Sequence, residues 1–253
     1  MANGIYITGM GLGSGKSLVV LGVMELLARH GRKPGFFRPV VAAEANTDPL
    51  VALVTSRYQI AASPEGMVGV GHALARDLIA RDREEELHSR ILEKYRSLAG
   101  ECDFVVCAGT DYRTMHAALE LDFNLEVARN LGTPLMPVVA GMGRTVEEMV
   151  DSVRALGESL ETKKCDVLSV ILNRVTPENA KQAAAQFQEG GAAGAPVFVL
   201  PAHPLLDKPT VGEVKRALGA EMLHGDAPRL DREVAHYKVA AMELPHFLDH
   251  LED

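Results

Sequence analysis

Short, nearly continuous apolar runs alternate along the chain with stretches in which apolar residues recur every three or four positions. The first run, Ile5 to Thr8, reads as a strand. It is followed by a helical pattern over Leu18 to Arg29, where Val19, Val20, Val23, Leu26 and Leu27 share one face. Gly35 to Val40 reads as a second strand, and a long, mostly helical stretch runs from Gly71 to Leu98. Phe104 to Cys107 gives a third strand, and Asn124 to Asn130 a helix ended by Gly132. Three more apolar strands, Leu135 to Ala140, Val167 to Leu172 and Val197 to Leu200, have helices at Val146 to Leu160 and Glu178 to Gln188 between them. Strands that are apolar throughout and separated by helices predict a parallel sheet covered on both faces, an α/β fold with a doubly wound, mostly parallel sheet. Ligands of such sheets bind at the carboxyl ends of the strands.

The pattern changes near the C-terminal side. Gly190 to Pro196 reads as a loop within the sheet domain, which spans residues 1–205. Residues 206–253 read as a connector and the start of a further, incomplete domain: Thr210 caps a short helix over Val211 to Leu218, and the apolar residues after Leu230 have no sheet to join. No internal repeat is present.

With 253 residues, 47% of them apolar, the chain can bury a full core. Its formal net charge of −8 argues against a general nucleic-acid or anionic-membrane surface, since both require clustered positive charge. No stretch approaches a membrane span, and the N-terminus runs into a strand rather than a signal peptide, which predicts a cytoplasmic protein. Cys102, Cys107 and Cys165, odd in number and widely spaced, predict reduced thiols rather than disulfides or a zinc site.

The candidate chemistry lies between the first strand and the first helix, where residues 8 to 17 read Thr-Gly-Met-Gly-Leu-Gly-Ser-Gly-Lys-Ser. Glycines at 9, 11, 13 and 15, with Ser14, let backbone N–H groups turn inward on an anion, and the helix N-terminus adds partial positive charge. Lys16 can reach terminal phosphates and Ser17 can hold Mg²⁺. The usual spacing would put glycine at Met10; Gly9 sits one residue earlier, so this P-loop is one residue longer than standard. It predicts a bound ATP or another phosphate-bearing ligand, without naming a reaction.

Four further residues fall on the ligand side. Asp48 and Asp111 are candidate Mg²⁺ carboxylates alongside Ser17; the competing reading for Asp48 is a helix N-cap or turn before Pro49. Arg38 ends the second strand, where its fork can hold a phosphate or carboxylate or stand in solvent. Asn173 offers an amide to a nucleotide base, or opens the turn to Pro177. The nine histidines show no metal spacing.

Thr8-Gly9, five residues, then Gly15-Lys16-Ser17 resembles the lengthened P-loop of the dethiobiotin synthetase group of ATP-binding proteins. Arg38-Pro39-Val40 stands where those enzymes carry Lys-Pro-Val, Asn46-Thr47-Asp48 where they place a metal-binding aspartate, and Asn173 also matches. Ala108, however, stands where they carry a metal-binding glutamate. A narrower resemblance is carried by Ala108 to Tyr112, Leu121 to Asn124, Pro204 to Val211, Leu230 to Val234 and Leu244 to Leu248. Together these resemble the N-terminal region of long-form bacterial phosphate acetyltransferases. In that family a dethiobiotin-synthetase-like P-loop domain precedes a middle domain and a C-terminal domain that transfers acetyl between coenzyme A and phosphate. The resemblance implies a regulatory domain that binds a nucleotide or small phosphorylated metabolite, within an acyltransferase of acetate metabolism. The alternative it leaves is a free-standing Mg-ATP-dependent ligase; a weaker third is an oligomer scaffold, and a homo-oligomer is compatible with each, closed symmetric pairs being the commonest assembly.

Overall fold

The computed structural model describes residues 3–10, 13–42, 48–58, 60, 62–110, 117–188, 191–206 and 208–235. The chain divides into two compact units, Met1–Ala202 and His203–Asp253.

The first unit runs β1 (Asn3–Met10), α1 (Lys16–Arg29), β2 (Pro34–Val41), α2 (Pro49–Arg57), β3 (Val68–Gly71), α3 (His72–Ala80), α4 (Glu84–Ala99), β4 (Phe104–Ala108), α5 (Ala117–Leu131), β5 (Leu135–Ala140), α6 (Val146–Thr162), β6 (Val170–Val175), α7 (Pro177–Ala185) and β7 (Val197–Pro201). The strands form one sheet in the order β3-β2-β4-β1-β5-β6-β7, every pair parallel. Alternate residues of each strand serve opposite faces. Ile5, Ile7, Phe36, Val106 and Ala108 pack with Val19, Val20 and Met24 of α1 and Leu50, Val51 and Val54 of α2. Tyr6, Phe37, Val105 and Cys107 pack on the other face with apolar residues of α3 to α7. That two-sided burial is why the strands lack a polar alternation, and it bears out the expected α/β architecture.

Several elements differ from the sequence expectation; α5, for one, begins at Ala117 rather than Asn124. The helical stretch from Gly71 to Leu98 is two helices, broken where Asp82 takes a left-handed conformation (φ 56°). β3 is an unexpected edge strand, whose Val-Gly-Val-Gly sequence carries little strand propensity of its own. α2 begins directly after Asp48, with Pro49 in its first turn, where a proline's missing N–H costs nothing. β6 begins at Val170 rather than Val167, which makes only an isolated bridge to Leu135, and its pairing with β7 shifts register between Leu172 and Val175. The shift carries the strand past Asn173.

In the second unit, α8 (Val211–Leu218) starts at Thr210, whose hydroxyl accepts the Glu213 N–H while the Glu213 carboxylate accepts the Thr210 N–H. The Thr210 cap is the one read from the sequence, and the structure adds the reciprocal bond to Glu213. Two 3₁₀ turns, Pro204–Leu206 and Ala227–Asp231, flank it. The Leu244 to Leu248 segment lies outside the described residues.

Candidate functional site

β1 and α1 meet in the glycine-rich loop at the carboxyl edge of the sheet. Gly15 is the N-cap of α1 with a left-handed backbone (φ 76°), and a Cβ there would sit 2.3 Å from the Asn173 amide nitrogen. Only glycine satisfies both demands. Having no side chain, Gly15 also leaves the helix N-terminus uncapped and available to an anion. Ser14 and Lys16 are buried, Ser17 is exposed, and Gly13 has φ 77°. Gly11 and Asp111 lie outside the described residues.

The loop is braced from β6. Asn173, 2% exposed, donates from Nδ2 to the Ser14 carbonyl (2.9 Å), and Arg174 donates from Nη1 to the Gly13 carbonyl (3.1 Å). Consecutive residues of a regular strand point to opposite faces. Here Arg174 has φ 60°, within the register shift, which brings both side chains to the same loop. The amide read from sequence as a base-binding group is thus in contact with the phosphate loop, and Arg174 is a site residue that the alternation rule conceals.

Gly109, just beyond β4, is the second organising point. Its carbonyl oxygen accepts hydrogen bonds from Lys16 Nζ and from Arg38 Nη1 (3.2 Å). Its N–H donates to Ile7 O (2.8 Å), so close to β1 that a Cβ would lie 3.1 Å from that same oxygen and 2.7 Å from Asn124 Oδ1. Arg38 also donates from Nη2 to Asp48 Oδ2 (3.2 Å), and Asp48 Oδ1 accepts the N–H groups of Leu50 and Val51, both at 3.0 Å. Of the two sequence readings of Asp48, the structure shows the helix N-cap: its oxygens cap α2 and pair with Arg38.

Three buried polar atoms around Gly109 have no hydrogen-bond partner: Thr8 Oγ1, Thr110 Oγ1 and Arg38 Nε. Orphaned polar atoms in a protein interior are costly, and these three belong to residues in or next to β1, β2 and β4. The described residues offer Mg²⁺ little. Asp48 is the one buried carboxylate among the described residues, its oxygens are already engaged, and Ala108 presents a methyl group at the end of β4. No cluster of three or more metal-ligating side chains occurs among the described residues, nor is any described helix long and apolar enough to cross a membrane. The three cysteines are free, Cys107 fully buried and the others half-buried.

Comparison with known proteins agrees with this geometry. Over 258 residues, 99% of the chain, the sequence is 36% identical to a phosphate acetyltransferase of Nitratidesulfovibrio vulgaris, covering 36% of that protein. It is 30% identical over 256 residues to the phosphate acetyltransferase of Synechocystis sp., covering 37% of it. An ATP-dependent dethiobiotin synthetase of Sulfurovum sp. is 24% identical over 60% of the chain and 75% of its own length. The chain spans little more than a third of the phosphate acetyltransferases it matches. Residues 3–210 match the AAA domain family designated AAA_26, the same stretch that holds the seven-stranded parallel sheet and its P-loop, and the chain belongs to that family.

Proposed function

We propose that the chain is a regulatory ligand-binding region of a phosphate acetyltransferase, its P-loop holding a nucleotide or small phosphorylated metabolite. Acetyl transfer between acetyl-CoA and phosphate then belongs to the part of such proteins that this chain does not match. The observation that carries the reading is the pairing of a glycine-rich loop that opens on the uncapped N-terminus of α1 with Ala108 at the end of β4. Lys16 and the open N-terminus of α1 are means of binding. A carboxylate at position 108, which an ATP-dependent ligase would use to hold its metal, is missing. Preorganised charge at the reacting phosphate carries the largest share of catalysis in such sites, so its loss removes turnover before it removes binding.

Isothermal titration calorimetry of the chain against ADP, ATP and acetyl phosphate tests the reading. Saturable binding of at least one, abolished in Lys16→Ala, is expected; no affinity for any phosphate ligand sinks it. The ligase alternative makes a different prediction, since ADP release with carboxylated or amine acceptors would then exceed that of Lys16→Ala.

A further inference from the structure

α8 is a short helix whose apolar face is left open. Val211, Val214 and Leu218 recur at helical spacing, yet no residue of α8 is buried, and Leu218 is 75% exposed. An isolated helix shorter than about 12 residues is marginal in water, so the stability of α8 has to come from packing of that face. Together with Leu223, Leu230 and Val234 the face lines a groove of about 770 Å³. Backbone bonds fix the geometry of the groove. The Val211 N–H donates to the Arg232 carbonyl (2.9 Å) and the Val234 N–H to the Pro209 carbonyl (2.8 Å), on either side of the antiparallel bridge between Thr210 and Glu233. The chain therefore leaves this pairing beside Val234, at the groove itself.

We propose that the occupant of this groove is the chain's own segment 244–251, which lies outside the described residues. In its sequence Leu244, Phe247, Leu248 and Leu251 stand at i, i+3, i+4 and i+7, the spacing of one helical face, and Pro245 suits a first helical turn. The charges match as well. From position 243 onward the sequence carries Glu243, Asp249, Glu252 and Asp253 and no Lys or Arg. The groove carries Lys215, Arg229 and Arg232 against Glu221 and Glu233, a basic excess in a chain whose net charge is −8. Arg229 is paired with Asp226 (3.1 Å), whereas Lys215 and Arg232 have no ion-pair partner among the described residues. Length permits the docking: the stretch from Val234 to Leu244 spans up to about 33 Å when extended, against about 12 Å for the length of α8. The tether also gives this segment a local concentration that a separate partner lacks. The groove is then an internal seam of the chain and not a surface for assembling copies of it.

The test uses the full chain with isotope-labelled Val and Leu methyl groups and Phe rings. Nuclear Overhauser contacts between the Phe247 ring and the methyl groups of Val214 or Leu218 are expected, and their absence overturns the proposal. A mixture of methyl-labelled chain with ring-labelled chain separates the two sources of such contacts. Contacts seen in the mixture come from a second copy and overturn it too. Amide hydrogen exchange gives an independent reading. Phe247→Asp in the full chain is expected to speed exchange of the Val214 to Leu218 amides by at least about ten-fold while leaving the amides of α5 unchanged. Unchanged exchange in α8 overturns the proposal. Should the α5 amides lose protection as well, the variant has misfolded and the methyl–ring contacts of the native chain decide alone.

Discussion

Asn124 holds both backbone groups of Thr110. Its Oδ1 accepts the Thr110 N–H at 2.9 Å and its Nδ2 donates to the Thr110 carbonyl at 3.2 Å. The same oxygen accepts the Tyr6 hydroxyl (2.7 Å), and Nδ2 reaches the Glu120 carbonyl (2.8 Å). One fully buried side chain on α5 thus ties β1 to the segment leaving β4, where Gly109 receives Lys16 and Arg38. The backbone on that side of the glycine-rich loop is tied down by a side chain from α5.

Replacing Asn124 with Leu fills most of its volume and takes away the side-chain partner of the buried Thr110 N–H and of the Thr110 carbonyl. Each such group costs about 1–3 kcal/mol, and relaxation recovers part, so a loss of about 3 kcal/mol is expected. Thermal melting should fall by about 6–12 °C for a chain of this size. A fall of under about 2 °C would show that the network is dispensable.

At β6 the relevant comparison is between two replacements of one residue. Arg174 sits at φ 60° and holds the Gly13 carbonyl. Arg174→Ala and Arg174→Gly both lose the guanidinium, but only glycine is at ease in the left-handed region. The Gly variant should therefore be about 1 kcal/mol more stable than the Ala variant by urea denaturation, while both show the same weakened phosphate affinity. Equal stabilities would mean that the backbone at 174 is unstrained.

The loop itself was legible because its chemistry is local: Gly9 to Ser17 is contiguous, and Asp48 follows shortly after the very next strand, although Arg38, expected at that strand's end, lies inside it. The parallel sheet was legible because burial on both faces removes polar residues from strands and leaves nothing else for such runs to be. What escaped was long-range or irregular. Tyr6 and Asn124 are 118 residues apart, and Arg174 and Gly13 are 161 apart. No spacing rule joins such residues. Asn124 did lie in a recognised motif, but a motif gives no partner. β6 was placed three residues early because Val167-Leu168-Ser169 continues its apolar run, and the register shift that ends β6 has no signature in composition. β3 is held by pairing with β2 rather than by its own residues.

In the second unit the cap of α8 makes a pH prediction. The Glu213 carboxyl is held below its ordinary value, 4.5, first by the Thr210 backbone N–H and then by the Thr210 hydroxyl. Because the folded value is depressed, the charged cap stabilises α8 above the unfolded value, and that contribution is lost as pH falls through the folded one. The Thr210 amide resonance, whose N–H lies 2.7 Å from the carboxylate, should titrate with a midpoint below 4.5. Glu213→Gln should erase the transition. A midpoint at or above 4.5 would contradict the reciprocal cap.

Gly15 offers the sharpest separation of binding from folding. Alanine there must accept φ 76° and a Cβ placed 2.3 Å from Asn173 Nδ2, so either the loop opens or Asn173 abandons the Ser14 carbonyl. A non-glycine residue held in the left-handed region costs about 1–3 kcal/mol, a sum that a core built on both sheet faces can tolerate. The phosphate cradle cannot, since its N–H groups work only when aimed together. Gly15→Ala is therefore expected to keep a cooperative melt and the native circular dichroism while phosphate-ligand affinity falls by at least about ten-fold. The double variant Gly15→Ala/Asn173→Ala, which removes the obstructing amide but not the backbone strain, should regain part of the stability. Because Asn173 and the left-handed turn shape the loop jointly, it should regain little of the affinity, and full recovery would assign the effect to the clash alone.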